Sequence, residues 1–437
     1  MTDVVPGAAH PSTAADVQAL LACVDAQRES AAELLGALIA VPSIGGTPAE
    51  VEVQHLVADL LRDSGMTVET WDIDVDAVTS DPQFPGQEVE RAAAVGVLAT
   101  TGRRSGGGSL LIDGHTDVVP PGDPDAWTGD PWAMRREDVG GVETLLGRGA
   151  CDMKAGVIAT VLAVRALRDA GIELGGELLV APVIGEEDGG FGTFELVRRG
   201  VRADACIIPE PTDLDIVPAN GGALTFRLRI PGQAVHASRR TEGVSAIEKF
   251  LPLFTAIHDF EAVRNASVHP YMQRWPLAYP VSIGTVQAGD WASTVPDLLV
   301  AEGRLGVALE ETPEQARAAF EQAVAAAAAK DPFLRHNPVR VEWWGGQFAP
   351  GLSTDPGLLD LVSGAHTAAA PDAREQEVYG GPYGSDLRLL APSMPTVQYG
   401  PGGAQHAHSP HEQVALDDIV VTARALALAT LAHCGRA

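Results

Sequence analysis

The chain has 437 residues, 46% of them apolar and 20% charged, and 30 Lys and Arg stand against 58 Asp and Glu for a net charge of −28. That length exceeds one ordinary domain of roughly 100–200 residues and fits two, and the apolar content excludes wholesale disorder. The acidic balance, with no Lys/Arg run as a local exception, excludes a phosphate backbone as partner, so nucleic-acid binding is not expected.

Four cysteines, Cys23, Cys151, Cys206 and Cys434, lie far apart with no CxxC pair. A zinc knuckle and a disulfide framework are both excluded. The first residues show neither a basic nor an apolar leader region, and no run of 18 apolar residues could span a membrane. The expectation is a soluble, cytoplasmic protein without a membrane partner.

From Thr13 to Ala40 apolar residues recur at helical spacing, and Val41-Pro42-Ser43 ends the pattern. A second helix is predicted over Pro48–Asp63, stopped by Gly65, and a strand over Met66–Val75. Residues 76–90 read as a loop. Short strands follow at Val95–Ala99 and Ser109–Asp113 around a glycine-rich turn at 102–108, the second ending at Gly114-His115. A helix at Met153–Ala170, a buried strand at Glu177–Ile184, a helix at Phe191–Arg199 and a strand at Ala205–Ile208 complete the alternation. This order predicts an α/β domain with a doubly wound, mostly parallel sheet.

After about residue 221 the pattern changes. Ala223–Ile230 alternates apolar with polar residues, as an antiparallel strand with one wet face does. Helices at Val244–Phe260 and Pro313–Lys330, and strands near Val281–Val286, Leu298–Leu305 and Val339–Trp344, predict an α+β unit of four antiparallel strands and two helices. Helices near Pro356–Ala370 and Asp417–His433 then return to α/β character. The predicted organisation is a discontinuous catalytic domain, residues 1–220 and 348–437, with an α+β domain inserted at 221–347.

Metal-binding side chains gather where predicted strands end, and carboxyl ends of strands are where open α/β sheets bind ligands. His115 closes the run Leu110–His115, with Asp117 two residues on. Asp152 stands among glycines before a helix, where an N-cap is the plain alternative. Glu186, Glu187 and Asp188 follow an apolar strand directly. Adjacent carboxylates repel, so a cation or a shared proton compensates them unless the turn is simply solvated. Glu210 repeats the pattern of strand then acid, and the last cluster holds His406, His408 and His411.

Each cluster alone is ambiguous, but GHTDVVPPG (114–122), GRGACDMKAG (147–156), GEEDGG (185–190), PEPT (209–212) and GPGGAQHAHSPHE (400–412) occur together in this order. In this the chain resembles the co-catalytic zinc hydrolases that include acetylornithine deacetylase, succinyl-diaminopimelate desuccinylase, aminoacylase and glutamate carboxypeptidase. The resemblance implies that His115, Asp152 and Glu210 hold one metal and Asp152, Glu187 and His408 the other, with Asp152 bridging. Two Zn²⁺ suit such ligands, and Co²⁺ or Mn²⁺ would be accepted. Asp117 would orient His115. Two ions roughly 3.5–4 Å apart bring the pKa of a shared water toward about 7, and Glu186 would act as its general base. The motif at 232–238 places His236 on the inserted domain, where the resemblance implies an oxyanion donor, often supplied by the other subunit of a homodimer joined through this lid.

Relatives commonly clamp a substrate carboxylate with a lid Asn and an Arg beyond it. Here Ser293 replaces the Asn, while Arg304 keeps the guanidinium. Asn220 and Ser385 are further pocket candidates. His406 and His411 read as outlying residues, and Cys151 as a small buried thiol. The implied activity is removal of an N-acyl group from an amino acid or related amine, as in an acetylornithine deacetylase-like deacylase, with a dipeptidase or carboxypeptidase as alternative. A metal-binding protein without turnover would need neither Glu186 nor His236.

Overall fold

Fourteen helices and strands precede the change of character near residue 221, and all but one hairpin build a large sheet and the two helical layers that cover it. The computed structural model describes residues 13–102 and 106–437. The N-terminal stretch read for a leader and the middle of the glycine-rich turn lie outside the described residues.

A capping box between Thr13 and Asp16 opens α1 (Ala14–Asp25), and α2 (Arg28–Ile39) follows. The single helical pattern expected over Thr13–Ala40 is thus two helices. Gln27 leaves helical geometry and donates from Nε2 to the carbonyls of Cys23 (3.0 Å) and Leu162 (3.3 Å), which closes one helix and docks the break. Pro48 begins α3 (Pro48–Asp63), and β1 (Thr67–Asp72) follows. The strand stops short of Val75 because Asp74 caps α4 (Val75–Thr79), accepting from the Ala77 N–H at 3.0 Å.

Next come β2 (Val95–Thr101) and β3 (Ser109–His115). The hairpin of β4 (Arg135–Val139) and β5 (Val142–Leu146) was not foreseen; it turns on Gly140 and Gly141, both with φ in the left-handed region. Then follow α5 (Lys154–Asp169), β6 (Glu177–Val183), α6 (Phe191–Arg198), β7 (Ala205–Ile208) and β8 (Ile216–Asn220).

The smaller sheet comes from one stretch: β9 (Gly222–Pro231), α7 (Ala246–Arg264), β10 (Val281–Ala288), β11 (Leu298–Val307), α8 (Pro313–Ala328) and β12 (Arg340–Phe348). Its order is β10-β11-β9-β12, all antiparallel. Alternation along β9 sends Leu224, Phe226, Leu228 and Ile230 into a core with Leu253 and Ile257 of α7 and Phe320 and Val324 of α8. The chain then adds β13 (Gly351–Leu352), α9 (Pro356–Ala369), β14 (Val378–Gly381), α10 (Leu387–Leu390), β15 (Thr396–Gln398), β16 (Gln413–Ala415) and α11 (Leu416–Cys434).

The large sheet runs β1-β2-β6-β3-β7-β15-β8-β13, with β14 also on β8. Its centre, β6-β3-β7-β15, is parallel, and antiparallel strands border it on both sides. Period-two alternation builds both cores: Leu110 and Ile112 face the layer of α5 and α11, whereas Leu111 faces that of α6 and α10. With both faces covered, the central strands are mostly apolar along their length, and the polar residues of the candidate site lie at their carboxyl ends. Among the described residues, no helix is long and apolar enough to cross a membrane.

Candidate metal centre and active site

His115 is the last residue of β3 and is buried. Its Nδ1 lies 3.0 Å from the backbone carbonyl of Asp117, which fixes the ring and leaves Nε2 pointing outward. That Nε2 is 3.1 Å from Asp152 Oδ1 and 3.9 Å from Glu210 Oε2. Glu210 follows β7, while Asp152 lies in the turn before α5 and is joined to Met153 by a cis peptide. The N-cap reading of Asp152 does not hold: Met153 occupies that position, and the Asp152 carboxylate faces two imidazoles.

The second imidazole is His408, in the loop after β15, with φ +58°. Non-glycine residues in this region cost about 1–3 kcal/mol and persist where the surroundings impose them, commonly at functional sites. Its Nε2 is 3.4 Å from Asp152 Oδ2 and 3.0 Å from Glu187 Oε2. Each oxygen of Asp152 therefore serves a different histidine. Ligand atoms of His115, Asp152 and Glu187 all lie within 4.8 Å of one another, a spacing that could hold a metal ion.

The three acids after β6 have three fates. Glu187 turns to His408, Glu186 is buried against the cavity, and Asp188 pairs with Arg91 at 2.7 Å. Arg91 is fully enclosed and also meets Glu50 at 3.1 Å, so this part of the acidic run is compensated within the protein. The Asp117 carboxylate lies 3.8 Å from the His115 ring and accepts the N–H groups of Glu186 (3.3 Å) and Glu187 (3.2 Å). One residue thus sets both the imidazole, through its carbonyl, and the acidic loop, through its side chain.

The charge balance favours a cation. Burial pushes Glu210 up to about 8 and raises Glu186 well above the carboxylate range, with Asp386 adding to the effect. Burial and the neighbouring Asp152 raise Glu187. Burial opposes ionisation of Asp152 too, but its contacts with His115 and His408 outweigh it and hold the carboxyl low. Hydrogen bonds to Asp152 and Glu187 carry His408 up to about 11. Imidazolium protons here balance carboxylates, a task a divalent ion bound to neutral imidazoles and carboxylates performs better. One imidazole and two carboxylates per position suit Zn²⁺, and the donors present fit it.

A cavity of about 230 Å³ opens over this cluster, lined by Asp152, Glu186, Glu187, Glu210 and His408 and walled by Tyr383, Ser385 and small residues. Of the candidates for substrate binding, Ser385 lines it. Asn220 is buried behind, its Oδ1 accepting from Ser385 Oγ at 2.8 Å. Arg304 lies outside the cavity lining, 3.1 Å from Glu88. Ser293 and His236 stand together on the inserted domain, where the Ser293 carbonyl accepts the Ala237 N–H (2.8 Å) and the His236 ring meets Ser238 Oγ (2.8 Å). His236 is exposed and does not line the cavity. Tyr383 was not anticipated; a tyrosine inside a Gly-Pro loop carries no periodic signal.

An α/β sheet whose parallel strands deliver two histidines and a set of carboxylates around one shared aspartate is the framework of a metallohydrolase. The chain belongs to Peptidase family M20/M25/M40, which matches residues 111–432; its members are hydrolases of amide bonds, peptidases and deacylases among them. It is 28% identical to N-formyl-4-amino-5-aminomethyl-2-methylpyrimidine deformylase of Bacillus subtilis (strain 168), over 94% of this chain and 96% of that one. It is 31% identical to succinyl-diaminopimelate desuccinylase of Methylobacterium nodulans, over 87% and 90%. Its fold is similar to that of the di-peptidase Dug1p from Saccharomyces cerevisiae, with a TM-score of 0.75 at 15% identity, covering 97% of this chain and 99% of that one.

Proposed function

We propose that this protein is a metal-dependent deacylase that removes a short acyl group from a small N-acyl amine. The observation that carries the reading is the division of Asp152, one oxygen toward His115 and the other toward His408, with Glu210 and Glu187 completing the two sets. In this reading His115, Asp152 and Glu210 hold one divalent ion and Asp152, Glu187 and His408 a second, Zn²⁺ foremost and Co²⁺ or Mn²⁺ as substitutes. Bound there, such ions lower the pKa of water and polarise an amide carbonyl.

The chain's own residues supply the rest. Glu186, buried beside the cluster but outside both ligand sets, takes a proton from water and returns it to the leaving amine. Asp117 keeps His115 and the Glu186–Glu187 backbone in register. His236 donates to the developing oxyanion and comes from the partner subunit of a homodimer. Two exposed features of the inserted domain support that dimer. Ile247, Leu251 and Phe254 form an apolar stripe along α7, 45%, 59% and 39% exposed, and β10 has an unpaired outer edge. Four free cysteines, three of them buried, suit a reducing, cytoplasmic setting.

A deacylase is favoured over a dipeptidase or carboxypeptidase by the deformylase and desuccinylase relatives and by a cavity of about 230 Å³, below the roughly 300–1,000 Å³ of drug-sized sites. The test is a hydrolysis panel of N-formyl, N-acetyl and N-succinyl amines against dipeptides on Zn²⁺-, Co²⁺- or Mn²⁺-loaded protein, with and without chelator. Chelator-sensitive cleavage of short N-acyl amines is expected. Preference for dipeptides would overturn the deacylase reading, and no amide cleavage under any metal would leave a binding protein.

A further inference from the structure

Tyr383, on the loop between β14 and α10, lines the cavity together with the acidic cluster. The ring is seated on Gly381: a methyl group there would stand 2.7 Å from Tyr383 Cζ and 2.7 Å from Asn220 Nδ2. Any side chain at that glycine would displace the ring or the amide. The amide is itself tied through Oδ1 to Ser385 Oγ at 2.8 Å, so the ring rests on a rigid floor. No described residue hydrogen-bonds to the Tyr383 hydroxyl. Tyr383 is the aromatic residue of the lining, and the other walls away from the acids, Pro211, Ala404 and Ala407, are small and neutral.

The charged groups of the lining are equally informative. They are the carboxylates of Asp152, Glu186, Glu187 and Glu210 and the imidazole of His408, with no Lys or Arg among them. Arg388, three residues past Ser385, is buried and spends its N–H groups on the carbonyls of Ser385 (2.8 Å) and Gly189 (2.7 Å) while stacked 4.1 Å over Phe348. Arg304 is held by Glu88. Away from the ions proposed at the acidic cluster, a carboxylate on the amine side of the substrate would lose water and meet no Lys or Arg of this chain in the lining, and a desolvated charge without a partner is expensive. A flat neutral group instead gains an aromatic surface already fixed in place.

We propose that Tyr383 is the specificity-determining residue of this site, and that the preferred substrates are short-chain N-acyl derivatives of amines that bear an aromatic ring and no carboxylate. This rests on the deacylase reading above and narrows its substrate class.

The experiment compares metal-loaded wild type, Tyr383→Phe and Tyr383→Leu on N-formylbenzylamine, N-formylbutylamine and N-formylglycine, and measures benzylamine binding to each protein by calorimetry. In wild type the benzyl substrate is expected to exceed the butyl one in kcat/KM by roughly tenfold, the scale of one good aromatic contact, and N-formylglycine to be the poorest. Tyr383→Leu should erase the benzyl preference through KM and weaken benzylamine binding by a similar factor, while Tyr383→Phe keeps both. A benzyl-to-butyl ratio unchanged in Tyr383→Leu, or N-formylglycine as the best substrate of wild type, would overturn the proposal. The wild-type comparison stands even if the leucine variant does not fold. If wild type cuts none of the amides, the deacylase reading fails by itself, and equal benzylamine affinity in wild type and Tyr383→Leu would then sink the role of Tyr383 separately.

Discussion

Glu412 holds Asp152 by its backbone. One carboxylate oxygen accepts the N–H groups of Cys151 (3.3 Å) and Asp152 (3.2 Å), and the other takes the guanidinium of Arg148, in a pair almost wholly sealed from water. Arg148 in turn lies 5.1 Å over the Trp127 ring. The aspartate that faces both histidines is thus aimed by a buried ion pair whose carboxylate comes from the far end of the sequence.

Glu412→Ala would strand Arg148 without a counter-charge, a change that typically costs about 3–5 kcal/mol. A marked fall in Tm is expected, together with reduced metal content. Glu412→Gln, whose carbonyl still accepts the two N–H groups, should lose less of both. Thermal unfolding and elemental analysis check this, and a wild-type Tm in the alanine variant would contradict it.

Glu186→Gln removes the proton acceptor but no proposed ligand. Both ions should stay bound while kcat falls by about 10²–10⁴, the usual worth of a positioned general base. Near-normal turnover by metal-replete protein would take Glu186 out of the mechanism.

His236→Ala should lower kcat by about 10²–10³, as loss of an oxyanion donor does, with metal content unchanged. If the histidine crosses a dimer interface, mixing unfolded and refolded His236→Ala with Glu186→Gln creates sites in which both groups are intact. Activity should then reappear in the mixture. Its absence, with hybrid dimers present, would place His236 in service of its own chain.

Asp418, in the first turn of α11, is pushed up to about 6 from 3.8, chiefly by burial and then by the charge of Asp213. The folded state therefore holds this proton more tightly than the unfolded chain, so stability falls as pH rises through the window between these values, and the penalty is complete above about pH 6. Asp418→Asn should raise Tm at neutral pH, with the gain shrinking toward about pH 4. A gain independent of pH would show another cause.

The candidate cluster was legible because the strands leading to it are rich in apolar residues, so His115, Glu187 and Glu210 stood out as metal-binding types just where those runs end. Asp152 was harder, since an acid before a helix is ordinarily a cap. Asp188 could not be told from its two neighbours until Arg91 and Glu50, from elements far apart in sequence, closed around it. Strands such as β15, three residues long, are too brief for any period to register. The pairing of Arg304 with Glu88 was likewise invisible, because the two lie 216 positions apart and Glu88 belongs to no motif.

The large sheet seats β15 between β7 and β8, although β15 comes near the end of the chain and the other two lie close together before β9. During synthesis those two strands leave the ribosome beside a gap that only the late C-terminal segment fills. The smaller sheet has every strand in hand much earlier and can close while the gap is open. Translation halted before residue 396 would yield a protein with the four-stranded sheet finished, the large one gaping, the β4–β5 hairpin still without β16, and exposed apolar surface for chaperones to guard.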